Sequence, residues 1–111
     1  MYGSIMRGRI KTGRREEFER LMCELSLAHV ADERGLHCVE LAWEDEDSNR
    51  VVMILHFEDR QSYVRNTEHP QTQRNYGRWS PLLEGEAEWV DVAYADYVGH
   101  ALTQTIAAPT S

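Results

Sequence analysis

The chain has 111 residues and a formal charge of −7, because its 12 Lys and Arg residues are outnumbered by 19 Asp and Glu residues. A hydrophobic fraction of 41% is enough for one folded domain with a core, which excludes global disorder. An acidic chain with no basic tract excludes nucleic acid and anionic membrane surfaces as expected partners, and no apolar run is long enough to span a bilayer. The N-terminus also lacks the apolar segment of a signal peptide, so we expect a cytoplasmic protein.

The first two predicted elements are a strand and a helix. Polar and apolar residues alternate over residues 2–10, which is the period of a strand. From residue 14 to 34 the period changes to that of an amphipathic helix. The apolar stripe of this helix consists of Phe18, Leu21, Met22, Leu25 and Ala28. Gly35 is suited to ending the helix, because glycine adopts a left-handed backbone at little cost.

Two further strands are predicted over residues 36–43 and 51–57, joined by a polar turn as a hairpin. The second of them is apolar on both faces, which predicts a central strand in a covered sheet.

The second half of the chain predicts two short helices and a last strand. Asp59 is a good N-cap for a helix over 60–67, and Pro70 suits the first position of a helix that ends near Trp79. Residues 87–95 form the last predicted strand, with Val90, Val92 and Tyr94 on one face.

This order of elements predicts an α+β fold of the ferredoxin-like, split βαβ type. It has a four-stranded antiparallel sheet with helices on one face, formed by residues 1–98, and a patternless C-terminal tail over 99–111. The other face, expected to carry Val, Leu, Met, Phe and Trp, has no helix left to cover it. An apolar face of this kind predicts a homodimer that packs sheet against sheet.

Four short motifs carry a resemblance to a known family. They are Tyr2-Gly3-x-Ile5, Lys11-x-Gly13-x-x-x-Glu17-Phe18, Gly35-Leu36, and Phe57-Glu58-Asp59-Arg60-Gln61-Ser62-Tyr63 followed by Pro70. Over residues 1 to about 97 the sequence resembles the antibiotic biosynthesis monooxygenase (ABM) family of the dimeric α/β barrel superfamily. The resemblance implies a homodimer and, in each subunit, a pocket between the sheet and the helices.

Within that family the chain is most similar to the enzymes that convert aromatic polyketide phenols into quinones without a cofactor. Tyr63 matches their pocket tyrosine and Asn66 matches an asparagine three residues later. Phe57 stands where they have a tryptophan, Met53 where they have an asparagine, and Tyr76 near a basic residue of their second helix. The resemblance therefore implies a cofactor-independent monooxygenase acting on a small aromatic compound of secondary metabolism.

The candidate catalytic residues follow from this chemistry, in which the substrate supplies the electrons that reduce oxygen. Tyr63 and Asn66 are expected to donate hydrogen bonds to the developing oxyanion. His69 is either an N-cap or the pocket acid/base. The expected substrate-binding residues are Met53, Phe57, Tyr76, Arg74, Arg78 and Trp79.

Two other functions stay open at this stage. One is a dimeric protein that binds a small molecule without catalysis, and the other is a cyclase or isomerase that uses His69 or His56 as acid/base. No phosphate-binding loop or dinucleotide fingerprint occurs, and we expect no cofactor.

The remaining chemistry-bearing residues are assigned structural roles. Cys23 and Cys38 are expected to be free, packed thiols. The hairpin register places His37 opposite His56 or one step from it, so that these histidines and Cys38 could ligate a metal. No third histidine or carboxylate is expected within reach, however, and we predict no metal site. Trp43 and Trp89 are assigned to the core or to a dimer interface.

Overall fold

A computed structural model describes residues 1–31 and 35–95 of the chain, with side chains up to residue 26 in the first range. The predicted tail over 99–111, the domain boundary at residue 98 and the side chain of Ala28 lie outside the described residues. Among the described residues, no helix is both long and apolar enough to cross a membrane.

The elements follow the predicted order and differ from the predicted limits by only a few residues. The strands are β1 (Tyr2–Arg9), β2 (Leu36–Trp43), β3 (Arg50–Phe57) and β4 (Glu88–Ala93), and the helices are α1 (Arg15–Ala31), α2 (Arg60–Glu68) and α3 (Pro70–Trp79). The predicted α+β, ferredoxin-like fold is thus confirmed.

The four strands form one antiparallel sheet in the order β2-β3-β1-β4. β3 lies inside the sheet, as its apolar character on both faces predicts. The helices cover one face, which we call the helix side, and the described residues leave the opposite, helix-free side uncovered.

The core lies between the helix side of the sheet and the helices. Strand alternation brings Met6, Val51 and Met53 to this side, where they pack against the stripe of α1 that includes Phe18 and against Trp79 of α3. The rings of Phe18 and Trp79 meet edge to face with their centroids 6.0 Å apart.

Two polar residues fix the entries of α2 and α3. The carboxylate of Asp59 accepts a hydrogen bond from the Ser62 backbone N–H at 2.7 Å, which confirms it as the N-cap of α2. At the start of α3, Nδ1 of His69 accepts from the Gln71 backbone N–H at 3.0 Å, and Pro70 occupies the first helical turn. The N-cap interpretation of His69 is confirmed.

The helix-free side is apolar, but its composition differs from the prediction. Its apolar side chains are mainly β-branched, namely Ile5, Val52, Ile54, Val90 and Val92. The Leu, Met, Phe and Trp side chains expected there point to the helix side instead, because the alternation of β1 and β3 assigns them to the core.

Candidate binding cavity

A cavity of about 140 Å³ lies between the helix side of the sheet and all three helices. Its lining residues come from α1, α2 and α3 and from the strands β2, β3 and β4. They are Met22, Leu25, Ser26, Leu36, Val39, Met53, Leu55, Tyr63, Asn66, Thr67, Thr72, Asn75, Tyr76, Trp79 and Trp89. None of these lining residues carries a charge at neutral pH, and apart from Ser26 on α1 the polar ones lie on α2 and α3.

The sheet and α1 supply the apolar wall of the cavity. Met53 and Leu55 project from β3 with the same alternation that buries Phe57, while Met22 and Leu25 come from the apolar stripe of α1. This wall can bury the face of a flat apolar ligand.

Tyr63 is held at the cavity by a hydrogen bond from α2 to β4. Its hydroxyl donates a hydrogen bond to Oδ1 of Asp91 on β4 at 2.8 Å. Burial raises the pKa of Tyr63, a hydrogen bond with Ser4 acts in the opposite direction, and the bond to Asp91 raises the pKa further. Tyr63 therefore stays protonated at neutral pH, and its oxygen keeps lone pairs that can accept a hydrogen bond.

Two side-chain amides on the helices are oriented by neighbouring hydrogen bonds. Thr72 Oγ1 donates to Asn66 Oδ1 at 3.2 Å, and Gln71 Nε2 donates to Asn75 Oδ1 at 2.8 Å. Both Asn66 and Asn75 are buried. Because the Thr72 bond engages the amide oxygen of Asn66, the group that Asn66 can offer to a ligand is its NH₂.

Aromatic rings form the mouth of the cavity. The ring centroid of Trp79 lies 4.8 Å from that of Tyr76 and 6.2 Å from that of Trp89. Tyr76 and Trp89 are each 45% exposed, whereas Trp79 is buried. Two rings half open to solvent around a buried third ring suit the entry of an aromatic molecule.

The structure brings five of the sequence-predicted site residues together at the cavity: Met53, Tyr63, Asn66, Tyr76 and Trp79. Phe57 lies behind Tyr63, with ring centroids 5.4 Å apart, and does not line the cavity.

The other three predicted site residues lie on the outer surface of the helices. His69 is exposed and holds the start of α3. Arg74 is exposed and donates to Gln71 Oε1 at 2.7 Å. Arg78 lies in a surface hollow with Glu17, Arg20 and Glu24, away from the cavity.

Asp91 and Trp89 were not predicted at the site from the sequence, although strand alternation carried a signal for both. The predicted strand over 87–95 places Val90 and Val92 on one face, so Trp89 and Asp91 must share the other, which is the helix side. Trp89 accordingly pairs with Met6, and Asp91 pairs with Ser4. Trp89 is 45% exposed and lines the cavity, so it does not lie in the core, while its assignment to a dimer interface stays a prediction.

The position of His37 agrees with the expected register, but the expected packing of the cysteines and the expected lack of a nearby carboxylate were wrong. Both cysteines are free but exposed rather than packed. Cys38, not His37, pairs with His56, which leaves His37 one step away. A carboxylate does lie within reach, since Glu40 Oε1 is 2.8 Å from His56 Nε2.

The family model described as antibiotic biosynthesis monooxygenase matches residues 1–76 of the chain, which include α2 and most of α3. No curated protein matches the chain.

Solved structures from several bacteria share the fold. A variant of SnoaB, a cofactor-independent oxygenase from Streptomyces nogalater, is 18% identical, with a TM-score of 0.73 over 87% of this chain and 95% of that one. A Nitrosomonas europaea protein with the provisional name antibiotic biosynthesis monooxygenase is 14% identical, with a TM-score of 0.74 over 86% and 91%. Rv0793 from Mycobacterium tuberculosis is 14% identical, with a TM-score of 0.71 over 87% and 97%. Identities this low show a common fold and nothing finer.

Proposed function

The chain belongs to the antibiotic biosynthesis monooxygenase family, and on that premise we propose that it oxidises a small, uncharged aromatic compound with molecular oxygen, without a bound cofactor. The observation that carries the proposal is the cavity, with an apolar wall on one side and oriented hydroxyl and amide groups on the other.

The size of the cavity limits the substrate. An engineered protein cavity of about 150 Å³ takes up one benzene molecule, and this cavity measures about 140 Å³. One aromatic ring fills it, so any further fused ring has to extend through the mouth between Tyr76 and Trp89. The proposed substrate is therefore a phenol of one ring, or a larger phenol that inserts one ring.

The lining also favours an uncharged substrate. Burying a carboxylate or phosphate costs several kcal/mol unless a cation pairs with it. Arg74 and Arg78, which sequence reasoning placed at the site, lie on the helix surface. No charged side chain takes their place among the described lining residues.

The proposed reaction converts a phenol into a quinone. The ring loses the hydrogen opposite its hydroxyl group, gains an oxygen atom there, and gives four electrons to O₂, whose second oxygen atom leaves as water. The substrate has to lose its hydroxyl proton first, because the phenolate reduces oxygen much more readily than the phenol does.

Tyr63 and Asp91 provide a path for that proton. A substrate hydroxyl that donates to Tyr63 Oη passes its proton along while the Tyr63 hydroxyl proton moves to the Asp91 carboxylate. The amide NH₂ of Asn66 then donates a hydrogen bond to the phenolate oxygen, and this bond strengthens as negative charge develops.

The test measures ligand binding and oxygen consumption separately for the same set of proteins. The probes are phenol, 1-naphthol and a hydroxylated anthrone, and the variants are Tyr63→Phe and Asp91→Asn. Tyr2→Phe is the matched control, because the Tyr2 ring lies 5.5 Å from that of Tyr63 but does not line the cavity. We expect the wild type and Tyr2→Phe to consume one O₂ per quinone formed, and the two site variants to lose about a hundredfold in turnover while binding is retained.

The outcomes separate the open functions. Binding without oxygen uptake in the wild type contradicts the oxygenase and supports a small-molecule binding protein. Unchanged turnover in Tyr63→Phe contradicts the proton path even if oxygen is consumed.

The proposal includes a homodimer and keeps the cytoplasmic location that the sequence suggests. Support for the dimer comes from the β-branched helix-free side, where Val90 is 54% exposed in the single chain. A second copy packed on this side would remove that apolar surface from water.

A further inference from the structure

Three metal-ligating side chains converge on the helix-free side of the sheet, at the β2 edge. Atoms of Cys38, Glu40 and His56 that can bind a metal all lie within 4.8 Å of one another. The group is separate from the cavity, which lies on the other face of the same sheet. Nothing in the proposed oxidation uses these residues.

A register shift in the hairpin creates this group. Leu36 pairs with Phe57, but after the shift it is Cys38, not His37, that pairs with His56. Leu36 therefore faces the cavity while Cys38 faces the helix-free side, although residues two apart on a regular strand share a face. Glu40 then follows Cys38 on the same side by ordinary alternation.

A second feature holds the His56 ring in place. Tyr94 follows β4, and its ring reaches across β1 to stack on His56 with centroids 4.3 Å apart and an interplanar angle of 25°. The Tyr94 hydroxyl donates to the Leu55 carbonyl at 3.0 Å. Gly3 leaves the space for this crossing, because a Cβ there would lie 3.1 Å from the Tyr94 ring and 1.8 Å from the Leu55 oxygen.

The three side chains combine one fixed ligand with two adjustable ones. The His56 side chain is 12% exposed, and Nε2 lies 2.8 Å from Glu40 Oε1, whose side chain is 61% exposed. Glu40 and the exposed Cys38 can rotate to shorten their distances to a cation at Nε2, whereas His56 is held by Tyr94.

We propose that Cys38, Glu40 and His56 bind one Zn²⁺ ion per chain, with water in the fourth position. A thiolate, an imidazole and a carboxylate are all zinc ligands, and three protein ligands plus water form an open tetrahedral site. The sulfur ligand selects against Mg²⁺ and Ca²⁺. One thiolate and one carboxylate also balance the two positive charges of the ion.

Two features make this site weaker than a closed four-ligand site. Although Cys38 is exposed, partial desolvation of its thiol, with the Glu40 charge adding to it, raises the thiol pKa, so zinc has to displace a proton to bind. His56 Nδ1 is buried and has no hydrogen-bond partner among the described residues. The ring is therefore held by stacking, without the hydrogen bond to its second nitrogen that zinc-binding histidines usually make. We therefore expect micromolar affinity.

The experiment titrates the full chain with Zn²⁺ against a chromophoric chelator and, in parallel, with Co²⁺. Cobalt reports on the ligands, because a cysteine thiolate gives a charge-transfer band and four-coordination gives intense visible bands. Cys38→Ser and Glu40→Gln remove ligands, while Cys23→Ser is the matched control, since Cys23 is also a free, exposed cysteine.

We expect one zinc per chain in the wild type and in Cys23→Ser. Cys38→Ser should lose the charge-transfer band and at least a hundredfold in affinity, and Glu40→Gln about tenfold. Wild-type affinity in Cys38→Ser, absence of the band in the wild type, or one zinc per two chains would overturn the proposed site. Because these residues lie outside the cavity, Cys38→Ser should keep the binding of the aromatic probes, so failure of the zinc site and failure of the oxygenase are distinguishable.

Discussion

The two faces of the sheet are built by the same strands but differ in the polar groups that accompany their apolar residues. On β3, Met53 and Leu55 project into the cavity, whereas Ile54 and His56 project from the helix-free side. The cavity side carries uncharged polar groups on helices that surround an apolar space. The helix-free side carries β-branched residues and, at one edge, the titratable Cys38, Glu40 and His56.

This difference follows from what covers each face. The helices supply hydrogen-bond partners that orient amides and hydroxyls, as Thr72 does for Asn66. Uncharged polar groups can therefore be buried on the helix side with their hydrogen bonds satisfied. The helix-free side has no such partners among the described residues. Its ionisable side chains therefore keep contact with water or with one another, as Arg7 on β1, Glu88 on β4 and the group of Cys38, Glu40 and His56 near the β2 edge do.

The largest expected effect comes from Gly3→Ala, which introduces a side chain where β1 pairs with β3 and where Tyr94 crosses on the helix-free side. The added Cβ would lie 1.8 Å from the Leu55 carbonyl oxygen, which is backbone and cannot move aside cheaply. We expect a loss of about 3 kcal/mol in the free energy of unfolding, measured by urea denaturation.

Gly77→Ala on α3 is the matched control for this substitution. A Cβ at Gly77 meets nothing within 4 Å, and alanine is the better helix former. The control should gain about 0.5–1 kcal/mol. A stability of Gly3→Ala equal to that of the wild type would contradict the close approach of β1 and β3 at this point.

A smaller effect is expected from Val90→Glu, which tests whether a second copy covers the helix-free side. Val90 is exposed in the single chain, so a glutamate there leaves the fold intact. In a sheet-to-sheet dimer it would bury an unpaired carboxylate and weaken association by at least about a hundredfold.

Light scattering as a function of concentration measures this association. The control, Gln61→Glu, adds the same charge at an exposed position of α2. A wild-type mass of 12.9 kDa at micromolar concentration, or an unchanged dimer in Val90→Glu, would contradict the proposed dimer.

The smallest expected effect is a difference in pH dependence between zinc binding on the helix-free side and naphthol binding in the cavity. Zinc displaces the Cys38 proton, and the thiol pKa is raised above its ordinary value of 9.0. The thiol is thus protonated at neutral pH, and zinc affinity should rise by up to about tenfold per pH unit from roughly pH 6 to 8. In the cavity, the raised pKa of Tyr63 keeps its hydroxyl protonated over this range, and the described lining contains no carboxylate, histidine or cysteine, so the affinity for 1-naphthol should stay constant.

Competition titrations of zinc and direct titrations of 1-naphthol at several pH values measure both quantities. Cys38→Ser should flatten the pH dependence of its residual zinc binding and leave naphthol unaffected. If the naphthol affinity varied with pH as strongly as the zinc affinity, the expected difference in pH dependence between the two faces would be contradicted.

Much of the fold was predictable because its signals are local. The alternation over β1, the stripe on α1, the Asp59 cap and Pro70 each depend on residues within a few positions of one another. Tyr63 and Asn66 were also identified at the cavity, through the resemblance of one contiguous segment, and they lie one turn apart on α2.

What the sequence could not determine depends on pairs of residues far apart in the chain. Tyr63 contacts Asp91 across 28 residues, and Tyr94 contacts His56 across 38, through the pairing of β1 with both β3 and β4. A one-residue register shift decides whether His37 or Cys38 stands opposite His56, because side chains alternate between faces. The sequence by itself determined the elements and their order, while tertiary structure alone decided which polar groups meet on each face of the sheet.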